Sequence, residues 1–292
     1  MYVATLISKP EDTRVTPEIV SSLKARLNGS SVDWLAEGIA CDIYFETEAT
    51  GFDVFWRGLE RMRIDFCVQP AETRRKQVLL ADMDSTMIQQ ECIDELAAEA
   101  GVGERVAEIT ARAMNGELDF EAALKERVGL LKGLPVTVIQ KVLSERITLM
   151  PGGGELVATM RANGAYAALV SGGFTDFTSA IAGKLGFDEN RANTLLQADG
   201  KLTGEHGVPV LGKQAKVDAL NEIVAARGLT PADVIAVGDG ANDLGMLHLA
   251  GSGVALHAKP VVAAEVSLRL NYADLTGLLY LQGYKAAEFV RG

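Results

Sequence analysis

Two aspartates one residue apart, Asp82 and Asp84, have the types and spacing that most directly suggest chemistry in this sequence. They follow the apolar run Val78–Ala81, which is typical of a buried parallel strand. Side chains two residues apart share a face of an extended chain, so both carboxylates should point the same way. Two negative charges at such a short distance repel each other. The pair therefore predicts either a bound cation or two carboxyl groups of which one is ionised and the other protonated. A strand that ends in an aspartate-rich turn without any function is the alternative.

Two further polar clusters follow predicted strands, and the carboxyl ends of parallel strands are where open sheets bind ligands. The first is Ser171-Gly172-Gly173, which offers a hydroxyl, backbone N–H groups and a helix N-terminus to an anion, although a plain glycine turn is the alternative. The second is Gly-Asp-Gly-Ala-Asn-Asp at 238–243, which ends in aspartate where a dinucleotide fingerprint has glycine. This departure favours a metal over a nucleotide. Asp82, the Asp84 region and Asp239 are hard oxygen ligands that suit Mg²⁺, with Asp243 as a further candidate.

Cations are needed as well if the three clusters bind phosphate. Lys213 and Lys216 begin a predicted helix, and ordinary solvated lysines are the alternative for both. Arg127 is different because it falls on the apolar stripe of a predicted helix at 119–131, together with Phe120 and Leu124. An arginine on an apolar face needs a partner or an anionic ligand to offset its desolvation.

The elements that must position these residues predict an α/β protein. Residues 2–69 have the strand and helix order βαββαβ, which is that of a ferredoxin-like α+β domain, and residues 69–76 form a polar linker. The chain is then helical by pattern for about sixty residues, and strands alternate with helices from residue 152 onwards, which predicts a parallel sheet. We therefore expect a Rossmann-like parallel sheet with helices on both faces and an inserted helical cap. The expected boundaries are 1–70 for the N-terminal domain, 71–88 with 150–292 for the core, and 89–149 for the cap.

Composition excludes several functional classes. The chain has 292 residues and a net charge of −11, and a balance so acidic argues against binding to nucleic acid or to an anionic membrane surface. Its three cysteines are widely spaced and odd in number, so we expect a reducing cytoplasm rather than a disulfide framework. Neither a signal peptide nor a membrane span is expected. The oligomeric state is left open, a homodimer included.

Four segments in this order resemble the motifs of the haloacid dehalogenase superfamily of phosphotransferases. They are the Asp-Met-Asp-Ser-Thr stretch at 82–86, Ser171-Gly172-Gly173, Lys216 and the 238–243 stretch. The resemblance implies that Asp82 is a nucleophile that becomes an aspartyl phosphate and that Asp84 is the general acid and base. It also implies a role for each of the other site residues. Mg²⁺ would be held by the Asp82 carboxylate, the Asp84 backbone carbonyl and Asp239, and the phosphate by Ser171, Gly172, Lys216 and the supporting Asn242.

Within the superfamily, the Asp-x-Asp-Ser-Thr form followed directly by a helical cap resembles the branch that hydrolyses O-phosphoserine, the last reaction of serine biosynthesis. The resemblance implies that Glu91 and Arg127 contact the ammonium and carboxylate of the substrate, and that Met114 and Phe120 form an apolar lid. Glu91 lies off the apolar stripe, where a solvated or helix-capping glutamate is the alternative. The N-terminal unit resembles an ACT-like regulatory domain.

The enzymatic alternative is a related phosphatase or phosphotransferase that acts on another small phosphomonoester. A signalling receiver also uses a strand-end aspartate with Mg²⁺, but the inserted cap and the position of Asp84 disfavour it.

Overall fold

The structure of the chain is a computed structural model that describes residues 1–46, 53–114 and 118–292, and only the backbone at positions 53, 54, 111, 113 and 114. Its first six elements form an antiparallel sheet of four strands in the order β2-β3-β1-β4, with two helices. They are β1 (Tyr2–Ser8), α1 (Pro17–Leu27), β2 (Ser31–Ala36), β3 (Ala40–Phe45), α2 (Asp53–Arg61) and β4 (Ile64–Pro70). The predicted α+β order is therefore confirmed, whereas the likeness to an ACT domain stays a prediction.

Helix α1 shows how the local sequence sets the bounds of an element. Thr16 accepts a hydrogen bond from the Ile19 N–H at the N-terminus, and Pro17 occupies the first turn, where its missing N–H costs nothing. Asn28 ends the helix in the left-handed conformation, which asparagine tolerates better than most residues. The buried residues Val20 and Leu23 face the sheet.

The larger sheet is parallel and has six strands in the order β12-β11-β10-β5-β6-β7. Its strands are β5 (Val78–Ala81), β6 (Tyr166–Phe174), β7 (Glu189–Asn193), β10 (Val234–Gly238), β11 (Ser252–Leu256) and β12 (Leu268–Leu270). The helices that accompany this sheet are α7 (Gly153–Ala162), α8 (Thr175–Leu185), α9 (Lys213–Arg227), α10 (Leu244–Leu249), α11 (Pro260–Glu265) and α12 (Gly277–Leu281). The predicted α/β fold is confirmed.

Strand β5 lies in the middle of this sheet, and both of its faces are buried. Val78 and Leu80 pack in one apolar cluster with residues of α9, while Leu79 and Ala81 pack in a second cluster with residues of α7 and α8. This two-sided burial explains why the run is apolar at every position rather than alternating. Packing on both faces also holds the end of β5 rigidly, so the residues that follow this strand have a fixed support.

The described residues between β5 and α7 form four helices, as the helical pattern of this segment predicted. They are α3 (Cys92–Glu99), α4 (Gly103–Met114), α5 (Phe120–Gly129) and α6 (Thr137–Glu145). The two connections between this helical segment and the rest of the chain lie side by side, because Ile88 bridges to Leu149 and the Met150 N–H donates to the Met87 carbonyl. A hairpin formed by β8 (Leu195–Ala198) and β9 (Lys201–His206) packs against the loop that follows α5.

The N-terminal sheet docks on the edge of the parallel sheet. Strand β4 lies beside β12, and the buried Asp65 carboxylate accepts hydrogen bonds from the N–H groups of Asn271, Tyr272 and Ala273, at 2.7, 3.1 and 2.8 Å. Gln69 adds a hydrogen bond from its side chain to the Leu281 carbonyl, at 2.7 Å. The docking covers an edge strand that would otherwise present unpaired backbone groups. Within the described part of the chain, no helix is long and apolar enough to cross a membrane.

Candidate active site

Asp82 and Asp84 leave the end of β5 and both face one cavity of about 180 Å³. The Asp82 N–H still donates to the Val237 carbonyl of β10, so the first aspartate is held by the sheet itself. Asp84 lies beyond the sheet, where its Oδ1 accepts a hydrogen bond from the Cys92 N–H at 2.9 Å. The two carboxylates thus share a face, as their spacing predicted, but have different surroundings.

Lys216 lies in the first turn of α9 and joins two of the clusters that the sequence analysis singled out. Its Nζ is 2.5 Å from Asp82 Oδ1 and 2.5 Å from Asp243 Oδ1, and its side chain is buried. Burial lowers the pKa of Lys216, but the two carboxylates outweigh burial and hold the pKa of the ammonium above its ordinary value. The alternative of a solvated lysine is therefore wrong.

Three buried carboxylates surround the space in front of Lys216. Asp82, Asp239 and Asp243 each place an oxygen within 4.8 Å of the others. Asp243 uses its oxygens for Lys216 and for the Gly240 N–H, whereas Asp82 and Asp239 face the cavity. Burial, together with the charge of Asp243, raises the pKa of Asp239 to about 6. Three clustered hard oxygen donors of which Lys216 contacts only Asp82 and Asp243 fit a divalent cation such as Mg²⁺.

The Ser171-Gly172-Gly173 segment contacts the other oxygen of the Asp84 carboxylate, Oδ2. It belongs to the last part of β6, and α8 begins only at Thr175, so the segment precedes the helix rather than forming its first turn. Ser171 Oγ accepts a hydrogen bond from the Gly173 N–H at 2.8 Å and donates one to Asp84 Oδ2 at 3.4 Å. A Cβ at Gly173 would lie 2.7 Å from Asp84 Oδ2, so the approach of the two segments requires glycine there.

Asp84 has a perturbed protonation equilibrium. Burial is the largest cause and the negative charge of Glu91 the next, and together they raise the pKa of Asp84 to about 6. A carboxyl with such a pKa can both give and accept a proton near neutral pH. Burial and the charge of Asp243 also raise the pKa of Asp82, against the lowering effect of Lys216.

Glu91 and Arg127 come from the helical segment and line the same cavity. Glu91 occupies the N-cap position of α3 but makes no capping bond; instead its Oε1 accepts a hydrogen bond from Ser85 Oγ at 2.7 Å. Arg127 is half-buried, and burial lowers its pKa, while the charges of Asp94 and Glu91 act in the other direction. Its Nε donates to the Ala123 carbonyl at 3.3 Å, and none of the described residues brings a carboxylate within salt-bridge distance of its guanidinium.

Phe120 begins α5 and lines the cavity from the side of the helical segment. A Cβ at Gly172 or at Gly212 would come within 3.2 or 3.3 Å of its ring, so the ring packs against two glycines. Asn242 also lines the cavity. The side chain of Met114, predicted to belong to the same lid, lies outside the described part of the chain.

The structure brings further residues to the site. Lys259 lines the cavity with its Nζ 3.8 Å from Asp239 Oδ2, and Thr86 Oγ1 donates to Asp239 Oδ1 at 3.4 Å. Lys259 follows β11, so recognition of that strand would have placed it at the carboxyl edge of the sheet with the others. Ser85 and Thr86 belong to the aspartate stretch itself, and their hydroxyls could have been named as candidates.

Comparison with known proteins identifies the family. The model of the haloacid dehalogenase-like hydrolases matches residues 79–248, more than half of the chain. The chain belongs to this family. The chain is 43% identical over 224 residues to a phosphoserine phosphatase of Archaeoglobus fulgidus. The alignment covers 76% of this chain and 65% of that protein. The alignments with the first curated relatives span 55% to 65% of the length of those relatives.

Two solved structures are similar in different ways. A haloacid dehalogenase family hydrolase of Salmonella enterica serovar Typhi superposes with a TM-score of 0.86 at 31% identity, and the match covers 96% of this chain and 97% of that one. A phosphoserine phosphatase solved as a phospho-aspartyl intermediate analogue has a TM-score of 0.66 at 42% identity, over 70% of this chain and 98% of the other. The first likeness extends over nearly the whole chain of this haloacid dehalogenase-like hydrolase, including its N-terminal sheet.

Proposed function

We propose that the protein hydrolyses O-phosphoserine to serine and phosphate. The observation that carries the proposal is Arg127, a half-buried guanidinium without a carboxylate partner among the described residues, in the same cavity as Asp82 and Asp84. O-Phosphoserine with its phosphate at the two aspartates would extend its carboxylate towards Arg127 and its ammonium towards Glu91. The names of the relatives favour the same substrate.

The proposed reaction begins with the phosphate held by Ser171, by the Gly172 backbone and by the Lys216 ammonium, with Asn242 in support. Asp82 attacks phosphorus as the ester oxygen departs, and Asp84 gives that oxygen a proton, so that serine leaves and an aspartyl phosphate remains. Asp84, now ionised, takes a proton from a water molecule, whose oxygen attacks the same phosphorus. Phosphate is released and Asp82 returns as a carboxylate. The analogue named for the related phosphatase supports such an intermediate.

The residues suit their proposed tasks. A pKa of about 6 lets Asp84 act as an acid in the first half of the reaction and as a base in the second. Lys216 neutralises part of the charge on Asp82 and on the phosphate. Asp82, the Asp84 carbonyl and Asp239 would hold Mg²⁺, which supplies positive charge to offset that of the phosphoryl group.

Several wider assignments belong to the same proposal. The protein would act in the cytoplasm at the end of serine biosynthesis, with Phe120 and Met114 as the apolar lid over the bound substrate. The helices at 89–149 would form the cap, 71–88 with 150–292 the catalytic core, and 1–70 an ACT-like domain. Nothing in the acidic composition suggests nucleic acid as a further partner.

Phosphate release from phosphoserine, measured with Mg²⁺ and with a chelator, tests the proposal directly. We expect turnover only with the metal and no turnover for Asp82→Asn, which removes the nucleophile but keeps the shape of the side chain. Asp218→Asn is the matched control, because Asp218 is exposed on the same helix as Lys216 and lies outside the cavity. Near-native activity of the Asp82 variant would sink the mechanism. A panel of phosphorylated metabolites ranks the substrates, and a larger kcat/KM on another phosphomonoester would assign the site to that compound instead.

A further inference from the structure

Asn193, the last residue of β7, makes an unusual set of hydrogen bonds for a side chain that is 2% exposed. Its Nδ2 donates to the Gly172 carbonyl at 2.9 Å and to the Leu211 carbonyl at 3.2 Å, and its Oδ1 accepts from the Leu211 N–H at 2.7 Å. Both amide donors and the amide oxygen are therefore satisfied by backbone groups of two distant segments. None of these bonds serves a turn or a helix cap near Asn193 itself.

The segment that Asn193 holds on one side is the one predicted to bind phosphate. The register between β6 and β7 shifts between Val170 and Phe174, so regular strand pairing does not fix the peptides of Ser171, Gly172 and Gly173. The Gly172 carbonyl and the Gly173 N–H belong to one planar peptide group, so a bond that orients the carbonyl also orients the N–H. That N–H donates to Ser171 Oγ, which in turn donates to Asp84 Oδ2.

The segment held on the other side supports the lid. Leu211 precedes Gly212, and the ring of Phe120 lies against both Gly212 and Gly172. Asn193 thus ties together the two pieces of backbone on which this lid residue rests. The Asn193 amide therefore connects the backbone beneath Phe120 with the Ser171 hydroxyl and, through it, with the Asp84 carboxyl group.

We propose that Asn193 is a positioning residue for phosphate binding: it orients the Ser171–Gly173 segment, and through it Ser171 and Asp84, while anchoring the loop beneath Phe120. This inference rests on the proposed phosphatase function but does not depend on the choice of serine, because all the groups involved lie on the phosphate side. Loss of Asn193 should therefore affect every phosphate ester alike and should weaken the binding of inorganic phosphate.

Asn193→Asp tests the proposal, since it keeps the shape of the side chain but turns an oxygen instead of an NH₂ group towards two carbonyls. We expect kcat/KM to fall about 10- to 100-fold, equally on phosphoserine and on p-nitrophenyl phosphate, with a parallel rise in the Ki of inorganic phosphate. Asn190→Asp is the matched control, because Asn190 lies on the same strand and accepts its hydrogen bonds from Thr178 and Ser179, away from the cavity. It should stay within about twofold of the unchanged protein.

A pH profile separates positioning from a general loss of structure. At low pH the new carboxyl of N193D is protonated and can again donate to the Gly172 carbonyl, so its activity relative to the unchanged protein should recover as pH falls. A folded N193D variant whose kcat/KM and phosphate Ki stay unchanged would overturn the proposal, and so would equal losses in N190D. If N193D does not fold, Asn193→Ser carries the same comparison, because it removes the amide without turning a charged oxygen towards the two carbonyls.

Failure of the proposed phosphatase function can be distinguished from failure of the inference about Asn193. If the unchanged protein releases no phosphate from phosphoserine but hydrolyses p-nitrophenyl phosphate, the substrate assignment fails while the Asn193 ratio on that ester still decides the inference. If neither ester is hydrolysed, the rise in Tm on addition of inorganic phosphate is compared instead. A smaller rise in folded N193D than in N190D supports the inference, and an equal rise overturns it.

Discussion

Removal of the Arg127 guanidinium should abolish the proposed preference for phosphoserine over phosphate esters that lack a carboxylate. The perturbation is Arg127→Ala, assayed on phosphoserine and on O-phosphoethanolamine, which keeps the phosphate and the ammonium but lacks the carboxylate. Among the described residues, Arg127 bonds only through its Nε, to the Ala123 carbonyl, so no described residue occupies its terminal nitrogens, which can bind a carboxylate through two hydrogen bonds.

The size of the effect follows from this geometry. Hydrogen bonds to charged groups contribute about 1.5–3 kcal/mol each, so two of them at this half-buried side chain correspond to about 3–6 kcal/mol. At about 1.4 kcal/mol for each factor of ten, kcat/KM on phosphoserine should fall by roughly 100- to 20,000-fold. On phosphoethanolamine the loss should remain within about threefold. Arg127→Lys should fall between these limits, because an ammonium keeps the charge but not the planar fork.

The assay is initial-rate phosphate release at several concentrations of each ester. Arg105→Ala is the matched control, since Arg105 is exposed and pairs with Glu108 on the outside of the helical segment. It should change neither substrate. Equal losses on both esters in Arg127→Ala would refute the reasoning and make Arg127 structural, and an unchanged kcat/KM on phosphoserine would place the specificity elsewhere.

Three further outcomes are expected. Asp65→Ala should lower the free energy of unfolding by about 2–4 kcal/mol in urea titrations, because it leaves the N–H groups of residues 271–273 without their buried acceptor; a variant as stable as the unchanged protein would contradict this. Divalent cations should bind more weakly as pH falls below about 6, since protonation of Asp239 competes with the metal, and calorimetric titration with Mn²⁺ at several pH values would show an affinity independent of pH if the site lay elsewhere. The three buried thiols should resist a thiol reagent in the folded protein and react after unfolding, since burial raises the pKa of Cys41 and of Cys67 to about 12; rapid reaction of the native protein would contradict their burial.

Predictions from the sequence were most accurate where the cause of a structure is local. Helix α1 has the bounds that its cap residues indicate, and β5 is the buried strand that its apolar run predicts. The edge at which the polar clusters meet also follows from pattern, because parallel strands of one sheet end on the same side. The marking of Arg127 as out of place is of the same kind, since helical periodicity alone puts it on an apolar face.

Other features arise from contacts between residues far apart in the chain. Lys216 looks like a surface lysine in sequence, yet it is buried against Asp82, 134 positions away. The hydrogen bonds of Asp65 with the segment that follows β12 span more than 200 positions. Neither contact leaves a periodic or compositional signal, because a single charged residue is described equally well as solvated until its partner is known.

The amino-acid sequence by itself therefore determined the order of the elements, the parallel sheet and the edge that carries the aspartates, since these depend on the apolar pattern along short stretches of chain. Only the tertiary structure decided which polar groups pair at that edge. The family resemblance had already named Lys216, but only the structure showed that it pairs with Asp82 and Asp243; the structure also turned Glu91 towards Ser85 rather than into a helix cap, and brought Asn193 beneath the Ser171–Gly173 segment. The physical reason is that a polar group buried by folding must find its partner in space, and its place in the sequence does not say where that partner lies.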